Sequence, residues 1–166
     1  MVITSGTVFD SKHALEGAVD EWFADTVAAE VKYGHIGSWN TSRVTDFSEL
    51  FCAVSFCSHY NSGASSAFDI DVSPWDTAAV TDMSFMFRGA GAFDGDVGEW
   101  NTSAVTDTSY MFYGAYAFDQ DIGEWDVSVV TDMRHMFREA SLFNADVGDW
   151  DTPVAVSVHG CLRRFH

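Results

Sequence analysis

A tandem repeat of 25 residues dominates this 166-residue chain and restricts what it can fold into. Tryptophans, phenylalanines and Met-Phe pairs all recur at this separation. The recurring positions are Trp75, Trp100, Trp125 and Trp150; Phe68, Phe93, Phe118 and Phe143; and Met86-Phe87, Met111-Phe112 and Met136-Phe137. Self-similarity at such a period predicts stacked repeat units, each too small to bury its apolar side chains alone.

An earlier and more divergent unit, WNTSRVTDFSELF, runs from Trp39 to Phe51. Trp39 and Trp75 are 36 residues apart, 11 more than the period of 25, which places an 11-residue insertion within residues 52–67. The predicted organisation is a single domain. It has an N-terminal helical cap at residues 1–34, a repeat solenoid at residues 35–152 and an irregular C-terminal tail at residues 153–166.

Each unit carries local signals for a short helix. Apolar side chains follow Asp82 at Met83, Met86, Phe87 and Ala90. This spacing is typical of a helix of about two turns with the aspartate as N-cap. The other half of the unit, such as DVGEW and a turn of the NTS type, breaks too often for a helix and indicates short extended segments. The predicted fold class is an α/β solenoid, leucine-rich-repeat-like, with about four coils of one strand region and one short helix each.

The segment before the repeats predicts one amphipathic helix that covers the first coil. Asp10 or Ser11 is the expected N-cap, and Gly34 is the expected stop. The apolar side of this helix consists of Leu15, Ala18, Val19, Trp22, Phe23, Val27 and Val31.

The charge of the chain restricts its partners. It has 25 acidic and 8 basic residues, a formal net charge of −17, which repels phosphate backbones. We therefore expect no nucleic-acid partner. We also expect no membrane span, because no run of about 18 apolar residues is present and the start lacks the pattern of a signal peptide.

The three cysteines lack the CxxC spacing of a zinc ribbon. A bridge between Cys52 and Cys57, across a loop, and free thiols both remain open. Cys161 is the third cysteine.

The repeat resembles that of the BspA-like leucine-rich-repeat surface proteins, a family of unknown function with the unit WDTSxVTDMSxMFxGAxxFNxDI. The matching pieces here are WDTAAVTDMSFMFRGAGAFDGDV and WDVSVVTDMRHMFREASLFNADV. The resemblance implies a parallel solenoid with a surface or adhesion role, and so a location at the cell surface or outside the cell. It implies no catalytic residues, because that family has no established ones.

Two sets of residues are candidates for function. Exposed positions that vary between units predict a surface for a protein or glycan partner: Phe85, Arg88, Tyr110, Tyr113, Tyr116, Arg134 and His135. Carboxylates that recur in each unit form columns that can bind calcium or can accept backbone hydrogen bonds in turns: Asp69, Asp71, Asp94, Asp96, Asp119, Asp121 and Asp146.

Without a GxSxG, HExxH or P-loop motif, the sequence predicts a non-catalytic scaffold with no required cofactor. A calcium-binding structural module is the alternative, and a polysaccharide-active solenoid enzyme is a further one.

Overall fold

A computed structural model describes residues 6–65 and 70–152. Over these ranges the chain forms two α-helices, α1 (Lys12–Ala24) and α2 (Thr26–Tyr33), and two 3-10 helices at Ile36–Ser38 and Ser62–Ser65. The predicted α/β solenoid is wrong. The described residues contain no β-strand and no helix within the 25-residue units, so they form no sheet and no strand-plus-helix coils. Phe68, Asp69 and the predicted tail at residues 153–166 lie outside the described residues.

The repeat units are built from turns because their backbone donors alternate between two kinds of partner. We number the units 1 to 4 from Trp39, Trp75, Trp100 and Trp125. In unit 2 the Met86 N–H donates to the Met83 carbonyl, three residues back, at 3.3 Å. The intervening donors of the same segment bond to carbonyls of unit 3 instead. An α-helix needs every N–H to reach the carbonyl four residues back, so this segment cannot be one.

The same alternation requires unusual backbone angles at fixed positions. Phe85 has φ of 60°, and its N–H donates to the carbonyl of Ser109 in the next unit at 2.9 Å. Tyr110 and His135, which lie 25 and 50 residues further on, both have φ of 57°. This left-handed region is uncommon for large side chains, so contacts between units hold it in place.

The aspartates that were predicted to cap helices form turns instead. The Oδ1 atom of Asp82 accepts a hydrogen bond from the Ser84 N–H at 2.8 Å, two residues on. Backbone bridges then join Asp82 to Asp46 in unit 1 and to Asp107 in unit 3, both in parallel. The capping interpretation is wrong because no helix follows these residues; they fix turns that pair with their counterparts in adjacent units.

The recurring aromatic residues form the core, as predicted. Trp100 is 4% exposed, and its Nε1–H donates at 3.2 Å to the carbonyl of Val72, three residues before Trp75. Phe112 and Phe118 stack within unit 3 with ring centroids 3.9 Å apart. Phe112 also stacks on Phe87 of unit 2 at 5.6 Å. Successive units therefore share one continuous core.

The N-terminal segment contains two helices where the sequence predicts one. Ser11 is the N-cap of α1, and Asp25, with an extended φ of −154°, separates the helices. The side chain of Asp25 accepts from the Ala28 N–H at 3.0 Å and so caps α2. Because the chain changes direction there, two predicted core residues face solvent: Val27 is 73% exposed and Val31 is 85% exposed.

Helix α1 packs against unit 1. The Trp22 and Trp39 rings meet edge to face with centroids 5.9 Å apart, and the Lys12 Nζ atom lies 3.1 Å from the Asp46 carboxylate. Gly34 ends α2 with φ of 81°, as predicted. In the described part of the chain, no helix has the length and apolar character needed to cross a bilayer.

Candidate partner-binding site

Three of the predicted partner-binding residues lie in one column. Phe85, Tyr110 and His135 occupy the same left-handed position in successive units. The Phe85 and Tyr110 rings stack with centroids 4.8 Å apart and an interplanar angle of 8°. The Tyr110 and His135 rings follow at 4.9 Å. The bond pattern between units thus sets the spacing of a partly exposed file of rings.

Arg88 lies against this file and is surrounded by aromatic rings. Its guanidinium carbon is 4.3 Å from the Phe56 centroid, 5.3 Å from Phe85, 4.8 Å from Tyr110 and 4.7 Å from Tyr113. We call these five residues the arginine cluster. A cation over a ring is attracted by about 0.5–2 kcal/mol, depending on how far it is desolvated. The cluster therefore holds the arginine side chain in a defined position.

No carboxylate of the described residues lies within 4.0 Å of the Arg88 guanidinium. Its Nε atom is buried and has no hydrogen-bond partner among residues 6–65 and 70–152. Burial lowers the pKa of Arg88, and this effect outweighs the nearby Tyr113, Tyr110 and Glu139 groups that raise it. An arginine still carries its charge at neutral pH. The cluster thus presents a partly desolvated positive charge on a strongly acidic protein.

The edge of the arginine cluster is fixed by unit 4. The Tyr113 hydroxyl donates to the Glu139 carboxylate at 2.9 Å, and this bond raises the pKa of Tyr113. The Arg138 guanidinium lies 5.8 Å from the Tyr113 centroid on the same side. Neither Glu139 nor Arg138 was among the predicted site residues. Arg138 stands in the same column as Arg88 and Tyr113, at steps of 25 residues, so the criterion that selected those two applies to it as well. Glu139 stands where the two preceding units have Gly89 and Gly114.

Two predicted site residues lie apart from the cluster. Arg134 forms an ion pair with Asp132 in its own turn. Tyr116 is 54% exposed, and its carbonyl accepts from the Ser141 hydroxyl at 3.3 Å. The structure therefore brings together Phe85, Arg88, Tyr110, Tyr113 and His135, and leaves Arg134 and Tyr116 outside.

Phe56 is the cluster residue that sequence reasoning missed. It belongs to the insertion after unit 1, is 67% exposed and has no counterpart in the other units. A disulfide bond joins Cys52 and Cys57 and closes the loop that carries Phe56. Of the two alternatives for these cysteines, the bridge is therefore the one found. The two cysteines were the only sequence signal that this loop is held in place.

The aspartate columns form turns in the described residues. The Oδ1 atom of Asp96 accepts from the Gly98 N–H at 3.0 Å, two residues on. Asp71, Asp121 and Asp146 accept in the same way. The Asp94 carboxylate accepts from the Asp119 N–H of the next unit at 3.0 Å. Asp119 repeats this contact with the Asn144 N–H at 2.8 Å.

Residues 6–65 and 70–152 contain no group of three or more His, Cys, Asp or Glu side chains placed to hold a metal ion.

We expect the melting temperature in a chelator to equal that in millimolar calcium, because the carboxylates already bond to backbone N–H groups. Circular dichroism melts under both conditions test this. A melting temperature that rises with calcium concentration would instead assign the columns to calcium, since binding to the folded state stabilises by about 2.7 kcal/mol at 100 times Kd.

These observations define a class of protein: irregular 25-residue repeat units with a shared core and an aromatic and arginine cluster on the surface. A family model described as "Mycoplasma protein of unknown function, DUF285" matches residues 18–63 and 56–164. The chain belongs to this family. No curated protein and no solved structure matches it.

Proposed function

We propose that the chain is a non-catalytic binding module whose arginine cluster contacts a protein or glycan partner. The observation that carries this proposal is the position of Arg88, between four rings and without a carboxylate among the described residues. Removing a charged group partly from water costs free energy unless it gains a partner. An acceptor group on a ligand would supply that partner.

Two other arginines in the repeat units differ from Arg88 in that each lies beside a carboxylate. Arg134 forms an ion pair with Asp132, and the Arg138 Nε atom lies 3.9 Å from Glu139. Arg88 alone of these three lies among rings instead of beside a carboxylate. Arginine and tyrosine are also among the residue types that most often supply binding energy at interfaces. The resemblance to BspA-like surface proteins agrees with a role in attachment at a cell surface.

The module is proposed to be non-catalytic because the sequence holds no GxSxG, HExxH or P-loop motif. The family description names no activity. We therefore expect binding, and not turnover, to be the measurable property.

The test is a screen of the purified full chain against a glycan array and a peptide array, followed by variants against each binder. We expect Arg88→Gln and Tyr113→Ala to weaken binding at least about tenfold, equivalent to about 1.4 kcal/mol. Arg43→Gln and Tyr116→Ala are the matched controls, because both residues are exposed and lie outside the cluster. Circular dichroism melts would check that all four variants fold.

Binding that is the same in the wild type, Arg88→Gln and Tyr113→Ala would contradict the proposal. Loss of binding in Tyr116→Ala alone would move the contact surface away from the cluster.

A further inference from the structure

A turn at the start of each unit has the same backbone geometry but two different residue types. In units 1 and 3 the turn begins with Asn40 and Asn101, and in units 2 and 4 it begins with Asp76 and Asp126. The Oδ1 atom of all four accepts the N–H two residues on, at 3.0–3.1 Å. A carboxylate therefore serves this turn as well as an amide does, so the turn alone does not require asparagine.

The two asparagines each begin the sequence Asn-Thr-Ser. Asn-x-Ser/Thr with x other than proline is the acceptor sequence for N-linked glycans. Both asparagines are exposed, whereas the intervening Thr41 and Thr102 are buried. In each motif the asparagine side chain therefore faces solvent and the threonine side chain lies in the core.

The hydroxyl of each motif bonds to its own asparagine. The Ser42 hydroxyl donates to Asn40 Oδ1 at 2.7 Å, and the Ser103 hydroxyl donates to Asn101 Oδ1 at 2.7 Å. In the described part of the chain, neither Nδ2 atom donates a hydrogen bond to the protein. The amide nitrogen of each asparagine is thus exposed and uncommitted while its oxygen is held.

The Cys52–Cys57 disulfide is an independent observation about the compartment. Disulfide bonds persist in oxidising environments, such as the lumen of the secretory pathway and the cell exterior. N-linked glycans are found on surface loops of secreted proteins.

From these observations we infer that Asn40 and Asn101 are acceptor sites for N-linked oligosaccharide. The donor is an oligosaccharide carried on a lipid diphosphate. The Asn Nδ2 atom forms a bond to the anomeric carbon of the first sugar and releases one proton, which passes to the solvent. The bond between that carbon and the diphosphate oxygen breaks, and the lipid diphosphate leaves. This inference does not depend on the proposed function.

The repeat supplies matched variants for the test. Asn40→Asp and Asn101→Asp keep the turn in the form that Asp76 and Asp126 already have, and replace the acceptor nitrogen by a carboxylate oxygen. Asp126→Asn creates Asn-Val-Ser and adds an acceptor at the equivalent turn of unit 4. Asp76→Asn creates Asn-Thr-Ala, which lacks the hydroxyl and serves as the negative control.

The full chain, fused behind a cleavable secretion leader, would be translated with eukaryotic microsomes and analysed by gel mobility before and after peptide N-glycosidase. We expect two glycans on the wild type, one on each of Asn40→Asp and Asn101→Asp, three on Asp126→Asn and two on Asp76→Asn. An unchanged mobility of the wild type after the glycosidase would overturn the inference. So would retention of both glycans by either asparagine variant, or the absence of a third glycan on Asp126→Asn. Because the readout precedes purification, it does not require that a variant fold stably.

Discussion

Replacing Phe112 by alanine is expected to reduce the free energy of unfolding by about 3–5 kcal/mol, the usual cost of truncating a buried phenylalanine. The side chain is fully buried, and its ring lies 3.9 Å from Phe118 by centroids. It also stacks on Phe87 and Phe137 of the two adjacent units, at 5.6 Å and 5.7 Å. The cavity left by the missing ring would adjoin both Phe87 and Phe137, so packing would be lost in three units together.

Urea unfolding followed by circular dichroism measures this change. Leu142→Ala is the matched control, because Leu142 is 62% exposed and surface truncations usually stay within about 0.5 kcal/mol. The total free energy of unfolding of a small domain is about 5–15 kcal/mol, so Phe112→Ala should unfold at a clearly lower midpoint concentration of urea. A loss below about 1 kcal/mol would mean that the units do not share a core at this position.

Replacing Gly98 by alanine should reduce stability by about 1–3 kcal/mol, the usual cost of overpacking. A Cβ atom there would lie 2.5 Å from the Asp121 carbonyl oxygen, which belongs to the backbone of the next unit and cannot rotate away. Ser73 holds the equivalent position one unit earlier and forms the same turn, with its N–H donating to Asp71 at 3.0 Å, so this position can accommodate a side chain. For this reason we expect destabilisation and not complete unfolding.

Gly148→Ala is the control for Gly98→Ala. Gly148 forms the same turn, its N–H donating to Asp146 at 2.9 Å. Among the described residues, a Cβ atom on Gly148 meets only the Asp146 side chain, at 3.1 Å. Thermal melts of the two variants should therefore differ, with the lower melting temperature for Gly98→Ala. Equal melting temperatures would show that the close approach between units does not limit stability.

The buried columns and most of the site were predictable from the sequence, because both follow from the repeat. Met83, Met86 and Phe87 are fully buried, as their spacing indicated. Phe85 and Arg88 were selected because they vary between units, and the structure places them in one cluster. The position of a residue within the 25-residue unit thus determines which other side chains lie on the same face of the molecule.

The secondary structure of the units was not predictable from the same spacing. A series of turns that close three residues back buries Met83, Met86 and Phe87 as a helix does, so the apolar pattern cannot distinguish the two. What distinguishes them is the partner of the remaining donors, such as Phe85 N–H to the Ser109 carbonyl of the next unit. That partner is 24 residues away and leaves no local signal.

The predictions that were wrong or missing outside the repeat also depend on contacts that leave no local signal in the sequence. Val27 and Val31 continue the apolar periodicity of α1, but Asp25 redirects the chain before them. Phe56 lies in the insertion, where no second copy exists to show which residues change and which persist. Its position over Arg88 depends on the disulfide loop and therefore on the tertiary structure.

The bonds between units have a consequence for how such a chain can change in length. Donors of unit 2 bond to carbonyls of unit 3 at the same positions at which unit 3 bonds to unit 4. Removing residues 100–124 would let unit 2 meet unit 4 with each donor opposite an equivalent acceptor. The carbonyls of Val72, Val97 and Ile122 each accept from the indole N–H of the tryptophan 28 residues further on, so Trp125 would find the Val72 carbonyl in place of the Val97 carbonyl. A deletion within the turns of a unit that is not a whole number of periods would set Trp125 against a different carbonyl. Gene duplication and loss in steps of one whole period would therefore change the length of the molecule while every surviving interface stayed intact.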